Sequence, residues 1–176
     1  MQVSLRELRD TDLPLLLAWA HIKEIWTYMP TSRSSENLTW ERHFSWWKSR
    51  KDRVDWIIEP VGFQRPVGVI HLAGLSKPFP EVGLYIGEVG LWGQDIGEQS
   101  LKMVMAEASA MGIIILVAVM LKENQRSVSL FMKLGFKDIG EARNGQRRYE
   151  RTFGRPEVPV FISQARDRRI PQPVPT

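Results

Sequence analysis

Five glycines crowd the stretch EVGLYIGEVGLWGQDIG, residues 81–97, four of them toward its end at positions 87, 90, 93 and 97. Glycine lets backbone amides come close to a ligand and take dihedrals that other residues avoid. The stretch reads as a strand that turns through these glycines into a long helix. A helix start offers unpaired N–H groups and the positive end of its dipole, which together suit a phosphate or pyrophosphate. An ordinary strand–helix turn uses the same residue types, so both readings stay open at this point. A second concentration lies upstream, where five of the seven tryptophans fall between positions 19 and 47. Trp26, Tyr28, Met29 and Trp47 could line a ligand pocket, because aromatic walls dominate many small-molecule sites. Buried core is the competing use of the same rings. His43, set among them, reads either as a substrate-facing group or as a hydrogen-bonded structural histidine.

The elements that must position these groups follow from periodicity. Residues 3–6 alternate as a strand, and Asp10 or Thr11 can cap a helix reaching Ala20, with Pro14 tolerated in its first turn. A short helical stretch over 22–29 ends at Pro30, and residues 31–37 are polar and loop-like. Thr39 caps a helix to about Ser49, in which Trp40, Phe44 and Trp47 recur at helical spacing. Strands follow at 56–59, at 67–75 (with His71) and from Glu81. Their links are too short for crossovers, so an antiparallel meander is expected. Residues 97–111 form a helix with Leu101, Val104, Met105 and Ala108 on one face. Gly112 ends it, and residues 113–120 make a strand apolar on both faces. A helix over 124–134 stops at Gly135-Phe136. Asn144-Gly145 predicts a hairpin joining strands at 136–142 and 147–153. From Gly154 proline and arginine take over, which predicts a flexible or loosely packed tail over 154–176.

Composition narrows the function classes. At 176 residues and 43% hydrophobic content, the chain can bury one sizeable core. Net charge is +4 and the pI near 9.6, with much of the excess in 143–155 and 166–169. No basic-aromatic module of a nucleic-acid binder is present, so nucleic acid is not an expected partner, whereas a modest positive field suits an anionic cofactor. The absence of cysteine excludes disulfides, thiolate metal sites and a cysteine nucleophile, and fits a reducing cytoplasm. The first residues lack the pattern of a signal peptide, and the longest apolar run, 113–121, is too short for a membrane span. His21, His43 and His71 lack ligand-like spacing, so no metal is expected.

The order strand, helices, antiparallel strands, glycine corner, helix, strand, helix, strand pair, over about 3–153, resembles the GCN5-related N-acetyltransferase (GNAT) superfamily. Two motifs carry the resemblance. The superfamily's acyl-CoA signature is Gln or Arg, two residues, Gly, one residue, then Gly or Ala. It falls on Trp92-Gly93-Gln94-Asp95-Ile96-Gly97, and the Trp-Gly opening is similar to the ribosomal-protein acetyltransferase branch. The second motif, Asn…Ser…(Tyr/Phe)…Lys-x-Gly-Phe, falls on Asn124, Ser127, Phe131 and Lys133-Leu134-Gly135-Phe136. Each motif alone is weak; both in order, with the intervening helix and strand, are specific.

The resemblance implies a single α/β (α+β) domain over 1–153. Its sheet is mixed and mostly antiparallel, with helices on both faces and a cleft for acetyl-CoA splayed between the Glu81 and Ile113 strands. Cofactor contacts are implied from Val89, Gly90, Leu91, Trp92, Gly93, Gln94, Asp95, Ile96, Gly97 and Glu98, and from Asn124, Ser127 and Phe131. The implied reaction is transfer of acetyl to a primary amine by direct attack in a ternary complex. Such an amine is mostly protonated at neutral pH and needs a base. Glu81 is the first candidate and Glu88 the second, and each reads equally as a solvent-facing carboxylate at a strand end. A backbone N–H near Gly87–Val89, freed by a bulge at Gly87 or Gly90, would take the oxyanion. On the acceptor side stand Trp26, Tyr28, Met29, His43, Trp47 and Tyr85. The aromatic stretch 25–47 resembles amino-sugar acetyltransferases of surface-glycan pathways, implying a nucleotide-linked amino sugar or another small amine. A protein N-terminal amine is an alternative acceptor, and a silent acyl-CoA-binding module an alternative function. A monomer or homodimer is expected. Two residues depart from the pattern. Asp95 stands where glycine is expected and puts a carboxylate beside the pyrophosphate. Phe131 stands where many members carry a tyrosine that protonates the departing thiolate, so the proton must come from solvent, Ser127, Tyr85 or Tyr149.

Overall fold

A computed structural model describes residues 1–28, 38–62 and 65–154, the side chain of Trp26 excepted. Met29, the 31–37 loop and the tail beyond Gly154 lie outside the described residues. In chain order the elements are β1 (Val3–Glu7), α1 (Leu13–Ala20), α2 (Lys23–Trp26), α3 (Trp40–Ser49), β2 (Arg53–Pro60), β3 (Gly68–Ala73), β4 (Glu81–Ile86), α4 (Ile96–Ala110), β5 (Ile115–Leu121), α5 (Gln125–Lys133), β6 (Lys137–Glu141) and β7 (Gln146–Thr152). The strands join in one sheet of order β1-β2-β3-β4-β5-β7-β6. β2 to β4 form the expected antiparallel meander, and β1 adds to it antiparallel to β2. The α4 crossover makes β4 and β5 parallel, and β7 pairs antiparallel with both β5 and β6.

Period-two alternation divides the sheet into two faces. One face carries Ile58, Ile70, Leu72, Val82, Leu116 and Ala118. It is covered by the stripe Leu101, Val104, Met105 and Ala108 of α4 and by Phe131 of α5. That stripe is the one the 3.6-residue spacing predicts. The opposite face carries Ile57 and Val69 under Leu13, Leu16, Trp19 and Ile25. Burying each such side chain contributes about 1.5–3 kcal/mol, so both helix layers are held mainly by the sheet.

Three boundaries differ from the sequence reading for identifiable reasons. Asp10–Asp12 forms a separate 3-10 turn before α1. Its Asp12 carboxylate accepts from Arg6 Nη1 and Nη2, both at 2.8 Å, and from the Arg9 amide at 2.8 Å. The acidic residue thus ties β1 to the turn, and no side chain caps α1. β2 begins at Arg53, three residues before the expected start, because Arg53 and Asp55 satisfy each other at 2.8 and 2.6 Å and so fit a partly buried strand. Asn124 lies just outside α5 as its N-cap, its Oδ1 accepting from the Ser127 amide at 3.3 Å. The hairpin signal is realised as expected, with Asn144 and Gly145 both left-handed at φ 58° and 71°.

Candidate active site

β4 and β5 meet at one register position, Glu81 opposite Val117, supported by the Val117 amide donating to Pro80 O at 2.9 Å. Beyond it the two parallel strands have no further pairing, which opens a wedge toward the C-terminal end of β4. The register shows which amides line it. The Gly87 amide donates to Val67 O at 2.8 Å, so the odd-numbered residues of β4 turn their peptide groups toward β3. Antiparallel ladders alternate, so the N–H groups of Leu84 and Ile86 face the wedge instead. The Ile86 carbonyl is taken by Trp92 Nε1 at 2.8 Å. This narrows the expected oxyanion donors near Gly87–Val89. The Gly87 and Glu88 amides both donate to Val67 O, at 2.8 and 3.2 Å, in a bulge that points them away from the wedge. The bulge exists where glycine suggested it, but the amides it leaves in the wedge are those of Leu84 and Ile86.

At the mouth of the wedge the chain makes a 3-10 turn, Val89–Leu91, and enters α4 through Asp95. The amides of residues 93–98 make no backbone hydrogen bond among the described residues, the first α4 bond being Gln99 N–H to Asp95 O at 3.0 Å. Consecutive amides without a backbone partner thus stand at the start of a fifteen-residue helix, an arrangement that suits an anion. Gly97 is closely packed as well, since a Cβ there would sit 3.4 Å from both Leu84 and Leu130. Trp92 closes the corner against α5, with the Arg126 guanidinium 4.1 Å above its ring. Ser127 follows on α5, its amide held by Asn124.

The face of β4 away from α4 carries Glu81, Gly83 and Tyr85. Glu81 lines a cavity of about 280 Å³ with Val119, Ala142, Arg143 and Gln146. Desolvation raises its carboxyl pKa against the opposing pull of Arg53, Lys77 and Arg148. Glu88 stands differently: its carboxylate accepts from Trp19 Nε1 and from Arg65 Nη2, each at 3.4 Å. Tyr85 stacks edge-on with Trp19 at 6.0 Å between centroids, and burial raises its phenol. His71 lies over Gly83, where a Cβ would come within 2.6 Å of the imidazole. Burial pushes His71 down to about 3, so it is neutral and serves as a floor to the site. His43 is buried on α3 with its Nε2 unpartnered among the described residues, and burial lowers its pKa. Trp47 packs beside the same cluster. Tyr28 is 40% exposed, at the edge. The structure thus brings His43, Trp47, Tyr85 and Glu81 to one face of the sheet.

Sequence reading missed Arg50, Arg53 and Asp55, which complete this face. Their signal was present: two charges at alternate positions just ahead of the apolar run Trp56-Ile57-Ile58, where a strand must bury one side. The described residues bring no three histidine, aspartate or glutamate side chains together in a metal-binding group.

Comparison with known proteins is consistent with this geometry. Residues 2–137 match the acetyltransferase (GNAT) domain. The chain belongs to the GNAT acetyltransferase family. It is 38% identical over 151 residues to an uncharacterised protein of Methanocaldococcus jannaschii, covering 85% of this chain and 31% of that protein. It therefore spans less than a third of that relative's length. The crystal structure of a domain from M. jannaschii superposes with a TM-score of 0.81 at 36% identity, covering 86% of this chain and 99% of that one. Two more distant structures share the fold. The aminoglycoside acetyltransferase AAC(6')-Ib, solved with ribostamycin and coenzyme A, has a TM-score of 0.74 at 14% identity, over 86% of this chain and 94% of its own. The Vibrio cholerae spermidine N-acetyltransferase, solved with coenzyme A and spermine, has 0.67 at 17%, over 86% and 95%.

The two departures from the GNAT signature have structural explanations. Asp95 adopts φ 59°, ψ 5°, the left-handed conformation that glycine supplies freely and that aspartate tolerates better than most residues. The carboxylate influences Lys133, which also holds Glu98 at 2.5 Å. Lys133 is the basic residue within reach of it, with its ammonium already engaged by Glu98. Asp95→Gly is expected to tighten acetyl-CoA binding by about three- to tenfold at low salt and by less at high salt, measured by calorimetry. Phe131 is buried edge-on against Phe136 at 4.9 Å between centroids. Tyr149 is buried in the same apolar cluster as Phe131, and burial raises its phenol, whereas Tyr85 belongs to the opposite face of the sheet and does not stand in for the missing hydroxyl at Phe131.

Proposed function

We propose that this chain moves an acetyl group from acetyl-CoA to a primary amine by direct attack in a ternary complex. The acceptor is a small amine, and the form proposed first is a nucleotide-linked amino sugar. One observation carries the reading: a wedge between β4 and β5 whose mouth is ringed by unclaimed amides at 93–98 and whose wall offers Leu84 N–H. The residues present fit acetyl-CoA, whose thioester supplies the activated acyl carbonyl. The amides of 93–98 would hold its pyrophosphate and Leu84 N–H would donate to the carbonyl oxygen as it gains charge. A donor fixed in a sheet needs no reorganisation at that moment.

Glu81 lies three residues from Leu84 along β4, about 10 Å at strand rise, and on the face where the amine would enter. That separation suits a base acting through water. The amine proton passes to Glu81, the C–N bond forms and the C–S bond breaks. The departing thiolate takes a proton from solvent or from the Ser127 hydroxyl. A cytoplasmic setting and a monomeric or homodimeric state belong to the same proposal. No helix among the described residues is long and apolar enough to cross a membrane.

The test is thiol release from acetyl-CoA with a neutral amino sugar, a nucleotide-linked amino sugar, spermidine and a short peptide. Turnover of the amino sugars supports the reading, and turnover of the peptide alone would favour an N-terminal acetyltransferase. Acetyl-CoA binding without any turnover would favour a silent acyl-CoA module, and absence of binding would remove both.

A further inference from the structure

Arg50 follows α3 and reaches back over the face that carries His71 and Tyr85. Its guanidinium lies 4.3 Å from the Trp46 ring and 3.7 Å from the Trp47 ring. Nε and Nη2 are sealed from solvent with no hydrogen-bond partner. Nη1, outside that sealed set, makes no hydrogen bond to a described residue. The nearest carboxylate is Asp55, whose Oδ1 lies 3.5 Å from Arg50 Nη2. Asp55 is already engaged, with Arg53 Nε donating to Oδ2 at 2.8 Å and Arg53 Nη2 to Oδ1 at 2.6 Å. Two guanidinium groups therefore share one carboxylate. Side-chain exposure is 14% for each arginine and 9% for Asp55.

A largely buried cation whose Nε is unpartnered and whose Nη2 has only a long contact to a shared carboxylate is costly unless something completes it. Among the described residues the rest of the neighbourhood supplies no anion. His71 is neutral, His43 has an unpartnered Nε2, and Tyr85 keeps its proton because burial raises its pKa. Arg53 links the two ends of the face, bonding Asp55 and acting electrostatically on Glu81. The surplus positive charge thus lies across the Arg53–Asp55 pair from the proposed base.

We infer that Arg50 is the anchor for an anionic group, a phosphate or a carboxylate, carried by the acceptor amine. The planar fork of the guanidinium matches either group, and the tryptophan rings hold it in one orientation. The inference rests on the acetyl-transfer reading for the identity of the acceptor, and it sets this site apart from one built for a polycation such as spermidine.

The test pairs amines of similar size with and without an anion: glucosamine 1-phosphate against glucosamine, and β-alanine against propylamine. Wild-type kcat/KM is expected to favour the anionic member of at least one pair by about 10- to 100-fold, the range of one or two charge-assisted hydrogen bonds. The phosphate pair and the carboxylate pair identify which anion is meant. Arg50→Met, which keeps an unbranched apolar chain against the tryptophans, is expected to bring that selectivity to near unity, and Arg50→Lys to leave part of it. A thermal-shift series with the same four compounds needs no acetyl transfer. There, an anionic compound should raise the wild-type Tm and leave that of Arg50→Met unchanged. If that shift appears while acetyl-CoA fails to bind, the acetyl-transfer reading falls and the anchor stands. Equal kcat/KM within both pairs in the wild type, with no Tm shift from either anion, overturns the anchor even if Arg50→Met does not fold.

Discussion

Glu81→Gln is expected to lower the rate of acetyl transfer at neutral pH by about 10²- to 10⁴-fold, the usual worth of a positioned base. Acetyl-CoA affinity should change little, because the amides proposed to hold the cofactor belong to residues 93–98. The pH profile gives a finer readout. Desolvation raises the Glu81 carboxyl pKa, and only the ionised form accepts a proton. The wild-type kcat should therefore fall as pH drops through that raised value. In Glu81→Gln the limb due to the enzyme should vanish and leave only the titration of the amine. Stability runs the other way. A carboxyl whose folded pKa lies above its unfolded value contributes most below the unfolded pKa, and that contribution is lost as pH rises through the folded pKa. Glutamine at this position should thus be at least as stable as glutamate at neutral pH, with any advantage shrinking toward acid pH. A variant that is slow yet stable separates chemistry from folding.

Gly87→Ala is expected to destabilise the domain by about 3 kcal/mol or more, in the range of severe overpacking or of losing a large core side chain. A Cβ at Gly87 would lie 2.1–2.4 Å from three atoms of the Trp19 indole. Trp19 is 2% exposed, packs on Tyr85 and donates to Glu88, so it has no free direction in which to retreat. Combining Gly87→Ala with Trp19→Leu removes the collision. Urea unfolding of the double variant should show much less than the sum of the two single losses. Additive losses would mean that the glycine is needed for its backbone and not for the space it leaves.

How far the sequence revealed this molecule depended on whether a feature was written locally. The α4 stripe and the Asn144-Gly145 hairpin follow from spacing alone, the antiparallel meander from its short links, and the splay between the Glu81 and Ile113 strands from the motif resemblance. The turn at Trp92–Gly97 was legible because glycines next to a helix-start pattern mark the passage from strand to helix, and its use by an anion belongs to the proposed function. The engagement of the Gly87 and Glu88 amides was not legible, because peptide orientation in β4 depends on its register with β3, and Val67 claims the two amides that the bulge seemed to free. Arg50, Arg53 and Asp55 were passed over because only the pairing of β2, β3 and β4 sets Arg53 and Asp55 in line with Glu81 and Gly83, with Arg50 at the end of α3 beside Asp55. Asp95 looked like an obstacle in the sequence. Its left-handed backbone and the nearby Lys133 show how an aspartate is accommodated there.

The central claim is that the β4–β5 wedge and the amides at its mouth hold acetyl-CoA. A crystal structure of the chain with acetyl-CoA tests it most directly. The account predicts pyrophosphate oxygens within about 3 Å of amide nitrogens in residues 93–98 and the thioester carbonyl oxygen within the same reach of Leu84 N. A cofactor bound outside the wedge, or a thioester carbonyl held by the Gly87 or Glu88 amide, would contradict it.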